Sequence, residues 1–339
     1  METPELRTDP LSGHRTIVAG ERSRRPGGAP TCQPAEKIDP ETDPFAEGHE
    51  DRTPPELCAV RPNGGPANAP GWTIRVVPNL YPALAPADDS ATAVPADGPP
   101  EGGRGAPELF LSRPATGAHE VIVNGPQPVT SLAELPVVQV QAALTAWRAR
   151  MSAHGESSYV QLIVNERREA GASLPHTHAQ LYALDFVPAA VARERERSAA
   201  YTTRTMGQSL LGDLVAEEVR RGERIVAIDE EAVLLAPYAS RLPFQLMLAP
   251  RVPRARFEDE AGPCGAALLH DGLSRLARHL GSSPPLNMWV RTAPRGAEDF
   301  CWRIDVMPRL THLAGLELST ETNLNIVAPE DAAAALRDA

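Results

Sequence analysis

Ser158-Tyr-Val-Gln-Leu-Ile-Val-Asn165 sets Val160, Leu162 and Val164 against Tyr159, Gln161 and Ile163, the period of two that gives a β-strand two distinct faces. The chain continues through Glu166-Arg-Arg-Glu-Ala-Gly171-Ala-Ser173-Leu-Pro175 into His176-Thr-His178-Ala-Gln180, a second strand-like run entered from a loop of small residues. Alternate residues of a strand share a face, so His176, His178 and Gln180 are expected to point the same way.

Working outward, Trp72 to Pro78 and His119 to Val123 have strand character, as do Ile225 to Ile228, Ala232 to Leu235, Phe244 to Ala249, Leu286 to Val290 and Trp302 to Met307. Pro136 opens a helix whose stripe Val137, Val140, Leu144, Trp147 and Met151 recurs at three- and four-residue steps. A second, charged helix is expected from Ala189 to Arg221. Strands, helix, then strands recur in both halves, which predicts an α+β protein of two similar sheet-plus-helix units meeting near Val187. Two stretches, Arg22 to Pro55 and Ala85 to Pro107, are rich in Pro, Gly and charge and are expected to add little to a core; residues 85–107 read as a flexible insertion.

The 339 residues carry a net charge of −11 and are 42% hydrophobic, which argues against a nucleic-acid or anionic-membrane surface. No apolar run approaches the roughly twenty residues of a spanning helix, and the acidic, polar Met1 to Pro10 is unlike a signal peptide, so a cytoplasmic location is expected. Lys37 is the only lysine, so arginine counts carry little weight. Cys32, Cys58, Cys264 and Cys301 lie far apart and read as reduced thiols.

Two histidines at i and i+2 fit paired metal ligands, chance surface residues, or a nucleophile with its support. Gly171, Ala172 and Ser173 just upstream favour the last, because a tight loop of small residues lets backbone N–H groups and a hydroxyl approach a phosphate.

The segment resembles the active-site signature of the galactose-1-phosphate uridylyltransferase family, a branch of the histidine-triad superfamily. The resemblance continues in order along the chain, from Arg7-Thr-Asp-Pro10 through Arg22-Ser-Arg-Arg25-Pro26, Trp72-Thr-Ile-Arg75-Val-Val-Pro78-Asn79-Leu-Tyr81-Pro82 and His119-Glu120-Val-Ile-Val. It extends to Ala236-Pro-Tyr-Ala-Ser-Arg-Leu-Pro243-Phe244 and Pro308-Arg309-Leu-Thr-His-Leu-Ala-Gly315-Leu-Glu317.

It implies two histidine-triad-like repeats, 1–187 with the nucleophile and 188–339, as a mainly antiparallel half-barrel with packed helices. It implies that His178 attacks the α-phosphorus of a nucleoside-diphosphate sugar and carries the nucleotidyl group, with Gln180, Ser173 and His176 in support. A nucleoside monophosphate, UMP in the first reading, then passes to a sugar 1-phosphate. The alternatives are a phosphorylase with phosphate as acceptor and a non-catalytic nucleotide-sugar scaffold. By the same resemblance Asn165 and Gly171 adjoin the phosphates, Asn79 and Tyr81 hold the nucleoside, and Glu317 and Asn323 hold sugar hydroxyls. Arg22 and Arg25 read equally as phosphate clamps or as a solvated basic run. A homodimer completing its sites across the interface is expected by analogy.

The chain departs from the family at its metals. Zinc ligands are replaced by Asp43, Ala46 and Pro128, leaving His176, with His49 as a conceivable substitute. At a second site Arg291 and Cys301-Trp302-Arg303 stand where relatives have histidines, and pairing with Glu194 or another carboxylate is expected in place of a cation. No metal or other cofactor is therefore expected.

Overall fold

The computed structural model describes residues 3–24, 32–86 and 112–339; Arg25 and residues 87–107 of the expected insertion lie outside them. In chain order the elements are β1 (Glu5–Thr8), β2 (Arg15–Val18), β3 (Cys58–Val60), β4 (Ile74–Pro78), β5 (Gly117–Val123), α1 (Val137–Ala153), β6 (Tyr159–Glu166) and β7 (His178–Leu184). Then follow α2 (Ala189–Thr205), α3 (Leu210–Arg221), β8 (Ile225–Ile228), β9 (Ala232–Leu235), β10 (Leu246–Pro250), α4 (Ala266–Leu280), β11 (Leu286–Arg291), β12 (Arg303–Pro308), α5 (Gly315–Thr320), β13 (Thr322–Asn325) and α6 (Pro329–Asp338).

Ten strands form one open, antiparallel sheet in the order β3-β4-β5-β7-β6-β11-β12-β10-β9-β8. Read from its two outer edges, each half has the same plan: three strands in sequence, then the fifth, then the fourth, with a helix (α1 or α4) between the third and the fourth. The α+β class and the two-repeat reading therefore hold. The halves join at β6 and β11, where Asn165 pairs with Asn287. The registers match as well: Gln180 lies between Val121 and Ile163, and Asp305 between Met247 and Trp289.

The period of two decides what each face meets. Val160, Leu162, Val164, Ala179 and Leu181 pack against Val140, Leu144, Trp147 and Met151 of α1, and Leu246, Leu248, Ile304 and Val306 pack against α4 in the same core. Val137, expected in the α1 stripe, is instead exposed, being the first helical residue after Pro136. On the opposite face the halves differ. In the second half Val233, Leu235 and Met247 are covered by Leu211 and Val215 of α3; in the first half the face is only partly covered, around Phe45, Trp72 and Val121.

Three expectations change. The single helix from Ala189 to Arg221 is two, broken at Met206 and Gly207, both with positive φ, after which the Ser209 hydroxyl caps α3 by accepting from Gly212 N–H. The stretch Arg22 to Pro55 does reach the core: Asp43, Phe45 and Glu50 are buried. A small second sheet, β1-β2-β13, was not foreseen; β13 runs parallel to β2. Among the described residues no helix is long and apolar enough to cross a membrane, and the four cysteines are unpaired.

Candidate active site

His178 opens β7, on the sheet face turned away from α1. Its Nδ1–H donates to the carbonyl of His176 at 2.7 Å, so the proton is fixed there and Nε2 keeps its lone pair. Burial, ahead of the neighbouring His176, holds the His178 pKa below the ordinary imidazole value, which keeps the ring neutral near pH 7. Phe45 stands edge-on to the imidazole with centroids 5.2 Å apart. The ring borders a cavity of about 460 Å³, within the range of small-ligand sites. Gln180, Ser173, Asn79 and Tyr81 line the same cavity.

Gln180 is held by two residues whose roles the sequence did not disclose. Ala83 N–H donates to His119 Nδ1 at 3.2 Å; Nε2 lies 3.0 Å from Gln180 Oε1 and 3.1 Å from Asn79 Nδ2, and a hydrogen on Nε2 has Oε1 as its acceptor. Tyr182 O–H donates to the same oxygen at 3.0 Å, and its ring stacks on His119 with centroids 4.1 Å apart. Burial holds the His119 pKa down, consistent with a neutral donor. Two donors on Oε1 fix the amide, so the Gln180 NH₂ is the end left to meet a phosphoryl oxygen. The signal that could have found this pair is cross-strand: His119 of β5 lies opposite Tyr182 of β7.

Asn79 Oδ1 accepts from Tyr81 N–H at 2.9 Å, a turn that leaves the Tyr81 ring 85% exposed at the cavity rim. Gly171, at φ +90°, ends the short 3₁₀ turn Arg168–Ala170, a left-handed position that favours glycine. It shapes the loop that delivers Ser173 and does not line the cavity.

Other expected residues are not brought to this cavity. His176 is not in the polar row: it precedes β7, is fully buried, and its Nδ1 lies 2.6 Å from Asp43 Oδ2 while Nε2 lies 2.8 Å from the Gly125 carbonyl. Its backbone carbonyl, not its ring, meets His178. Asn165 sits at the seam, its Oδ1 accepting from Asn287 Nδ2 at 2.8 Å. Arg22 is exposed on the 3₁₀ helix Gly20–Arg24. The Glu317 carboxylate accepts from Ala314 N–H, and Asn323 is on β13 with its amide towards the Arg15 carbonyl. The reason is topological: these last three belong to segments around the small sheet.

The residues at the family's metal positions do not fit a metal. Asp43 and His176 bond directly to each other, Ala46 and Pro128 offer no donor, and the His49 ring is turned to the Asp43 carbonyl at 2.9 Å. In the second half, Arg303 makes two hydrogen bonds to Glu194 at 3.0 and 3.2 Å, and Arg291 Nε lies 3.5 Å from the same carboxylate. Although burial opposes ionisation, Arg303 and Arg291 hold the Glu194 carboxyl below its usual range. Among the described residues no group of three or more His, Cys, Asp or Glu is gathered as a metal site.

Comparison with known proteins places this geometry among relatives. The family model described as "Galactose-1-phosphate uridyl transferase, N-terminal domain" matches residues 1–188, and a model described only as a domain of unknown function matches residues 140–338. The chain is 27% identical to the ADP-glucose phosphorylase of Arabidopsis thaliana over 99% of this chain and 93% of that protein. It is 28% identical to a galactose-1-phosphate uridylyltransferase of Cryptococcus neoformans over 98% and 89%. The crystal structure of the Arabidopsis ADP-glucose phosphorylase with bound ADP-glucose superposes with a TM-score of 0.78 at 25% identity, covering 99% of each chain.

Proposed function

The chain belongs to the galactose-1-phosphate uridylyltransferase family, and from that premise we propose that it transfers a nucleoside monophosphate from a nucleoside-diphosphate sugar through a covalent intermediate on His178. The observation that carries the proposal is the His178 ring itself: neutral, its Nδ1–H committed to the His176 carbonyl, and bordering a cavity of ligand size.

In the first step Nε2 attacks the α-phosphorus in line; the N–P bond forms as the P–O bond to the sugar phosphate breaks, and sugar 1-phosphate leaves as an anion that needs no proton. The His176 carbonyl disperses the charge that develops on the ring. Gln180 NH₂ and Ser173 hold non-bridging oxygens, Asn79 and Tyr81 the nucleoside. In the second step an acceptor oxygen attacks the same phosphorus and the N–P bond breaks. Inorganic phosphate is the acceptor we favour, giving a nucleoside diphosphate, a reading supported by similarity to an ADP-glucose phosphorylase both in sequence and, at a TM-score of 0.78, in structure. Hexose 1-phosphate is the second reading, supported by the uridylyltransferase relatives. We further propose a homodimer in which the partner brings its segment around Glu317 and Asn323 to this cavity.

The test is to incubate the protein with ADP-glucose and with UDP-glucose, each labelled in the α-phosphate. Acid-labile, alkali-stable label on wild-type protein and none on His178→Ala is expected; equal labelling of both refutes the assignment. Glucose 1-phosphate discharges the label in either reading, as the reverse of the first step; discharge by phosphate but not by galactose 1-phosphate supports the phosphorylase reading, and the reverse overturns it. No resident metal is part of this scheme, and elemental analysis checks that: stoichiometric zinc or iron, or activity lost to a chelator and restored by metal, refutes it.

A further inference from the structure

In the second half the counterpart of the His178 cavity is a closed-in pocket of about 110 Å³, well below the roughly 300 Å³ at which drug-sized ligands begin to fit. Arg303 and Asp305 on its floor hold the positions of His178 and Gln180 in the repeat. Its acids are engaged: Glu194 and Asp305 with Arg303, Glu218 with Arg224, and Asp9 with the backbone N–H groups of Leu11 and Ser12. Its donors are not. Arg241 has no carboxylate within ion-pair distance among the described residues, and its guanidinium lies 5.7 Å from the Trp289 ring centre. The buried Trp289 Nε1 makes no hydrogen bond, and neither does Arg291 Nε, whose nearest carboxylate oxygen, on Glu194, stands at 3.5 Å. At the mouth, Arg193 has only Glu321, at 3.9 Å, as an ion-pair partner among the described residues, and half-buried His14 adds a polar ring.

Buried N–H groups without acceptors cost free energy in proportion to their isolation from water, and a half-buried guanidinium without a counter-ion adds to that cost. Burial accordingly pulls the Arg241 pKa below its ordinary value. The missing partner is an acceptor with negative charge and several lone pairs, small enough for the pocket.

We propose that this pocket binds a phosphoryl dianion, held by Arg241, Arg291 Nε and Trp289 Nε1 with Arg193 at the entrance. A tetrahedral oxyanion offers oxygens to all four donors at once, and a nucleoside is too large. The site is separate from the His178 cavity, and it stands whether or not the transfer reaction proposed above is correct.

The experiment is calorimetric titration of the protein with inorganic phosphate, with glucose 1-phosphate and with sodium chloride, repeated on His178→Ala, which cannot form the intermediate and so does not turn over, after saturating its cavity with ADP-glucose. Phosphate binding that persists under ADP-glucose is expected, with chloride silent. Arg241→Met is expected to weaken it on the order of 100-fold, and Trp289→Phe, which deletes only the indole N–H, about fivefold to tenfold; neither should change ADP-glucose affinity. Glucose 1-phosphate matching phosphate would assign the site to phosphomonoesters, and phosphate alone to the free ion. Phosphate heat that vanishes under ADP-glucose, or isotherms unchanged in a folded Trp289→Phe, would overturn the proposal; that second variant preserves shape, so it remains decisive if Arg241→Met fails to fold.

Discussion

The two halves of the sheet share strand order and register but carry opposite chemistry on the face turned away from α1 and α4. In the first, His178 and Gln180 border a cavity of about 460 Å³ beneath loops. In the second, Arg303 and Asp305 occupy the same places, α3 covers the adjoining strands, and about 110 Å³ remains. The helix side is apolar in both, so the repeat is maintained by packing while the other face is free to differ. What separates a reactive face from a structural one is whether its ionisable groups are satisfied by each other. Arg303 is saturated by Glu194 and Asp305; His178 commits one nitrogen and keeps the other.

The largest expected effect follows from that difference. His178→Ala should lower transfer by several powers of ten while leaving the unfolding midpoint almost unchanged, since the ring makes one hydrogen bond, to a carbonyl in its own loop. His178→Gly with added imidazole should recover part of the rate. Steady-state assay with either acceptor checks both, and full activity in the alanine variant would break the comparison at its root.

Next in size, and in the other half, is Glu194→Ala. It strips the counter-charge from Arg303 and Arg291, both raised in pKa chiefly by acids against the cost of burial. Removing one member of a buried ion pair costs about 3–5 kcal/mol, measured by denaturant unfolding, whereas transfer per folded molecule should change little. A loss below about 1 kcal/mol would mean that the cluster does not hold this half together.

How much of this was legible depends on the range of the interaction. Strands that pack on a helix, such as β6 and β9, announce themselves by alternation or by a buried run, and their ends were placed to within a residue or so. The break at Met206 and Gly207 was not, because an Ala- and Arg-rich stretch favours helix on both sides of it. β1 and β13 have four residues each, mostly outside the core, too short to show a period. At the site, His178, Gln180, Ser173, Asn79 and Tyr81 were legible as a motif and its flanks. His119 and Tyr182 gain their function only through the β5–β7 pairing. Phe45 and Asp43 lay in a Pro-rich stretch whose composition hid two buried residues.

A second buried glutamate sharpens the contrast with Glu194. Glu166 ends β6 at the seam and accepts from Leu132 N–H at 2.7 Å, while its other oxygen makes no hydrogen bond. Burial pushes its pKa up to about 7 from an ordinary 4.5. The folded state therefore holds this proton more tightly than the unfolded one, so its contribution is complete below pH 4.5 and is lost as pH rises through 7. At roughly 1.4 kcal/mol per decade the loss is at most about 3.5 kcal/mol. Glu166→Gln should be more stable than wild type at pH 8 and lose that advantage by pH 5. Unfolding curves at the two pH values check it, and a pH-independent difference would refute the assignment.

The smallest expected effect probes why Gln180 differs from Asp305. Asp305 is held by a charge, Arg303 Nε at 3.0 Å, whereas Gln180 is held by two neutral donors on its Oε1, His119 and Tyr182. If that pair aims the amide at the phosphoryl oxygen, removing one donor while keeping ring and volume loosens the aim without removing the group. His119→Phe should retain the stacking on Tyr182 and lower kcat by about tenfold, a cost near 1.4 kcal/mol, with KM for the nucleotide sugar changed by less. His119→Asn offers a hydrogen-bond donor and should recover part of the loss. Gln180→Ala should be slower than His119→Phe, and combining the two should cost no more than Gln180→Ala alone, because His119 acts through Gln180. Additive losses in the double variant would show that His119 reaches the reaction by another route.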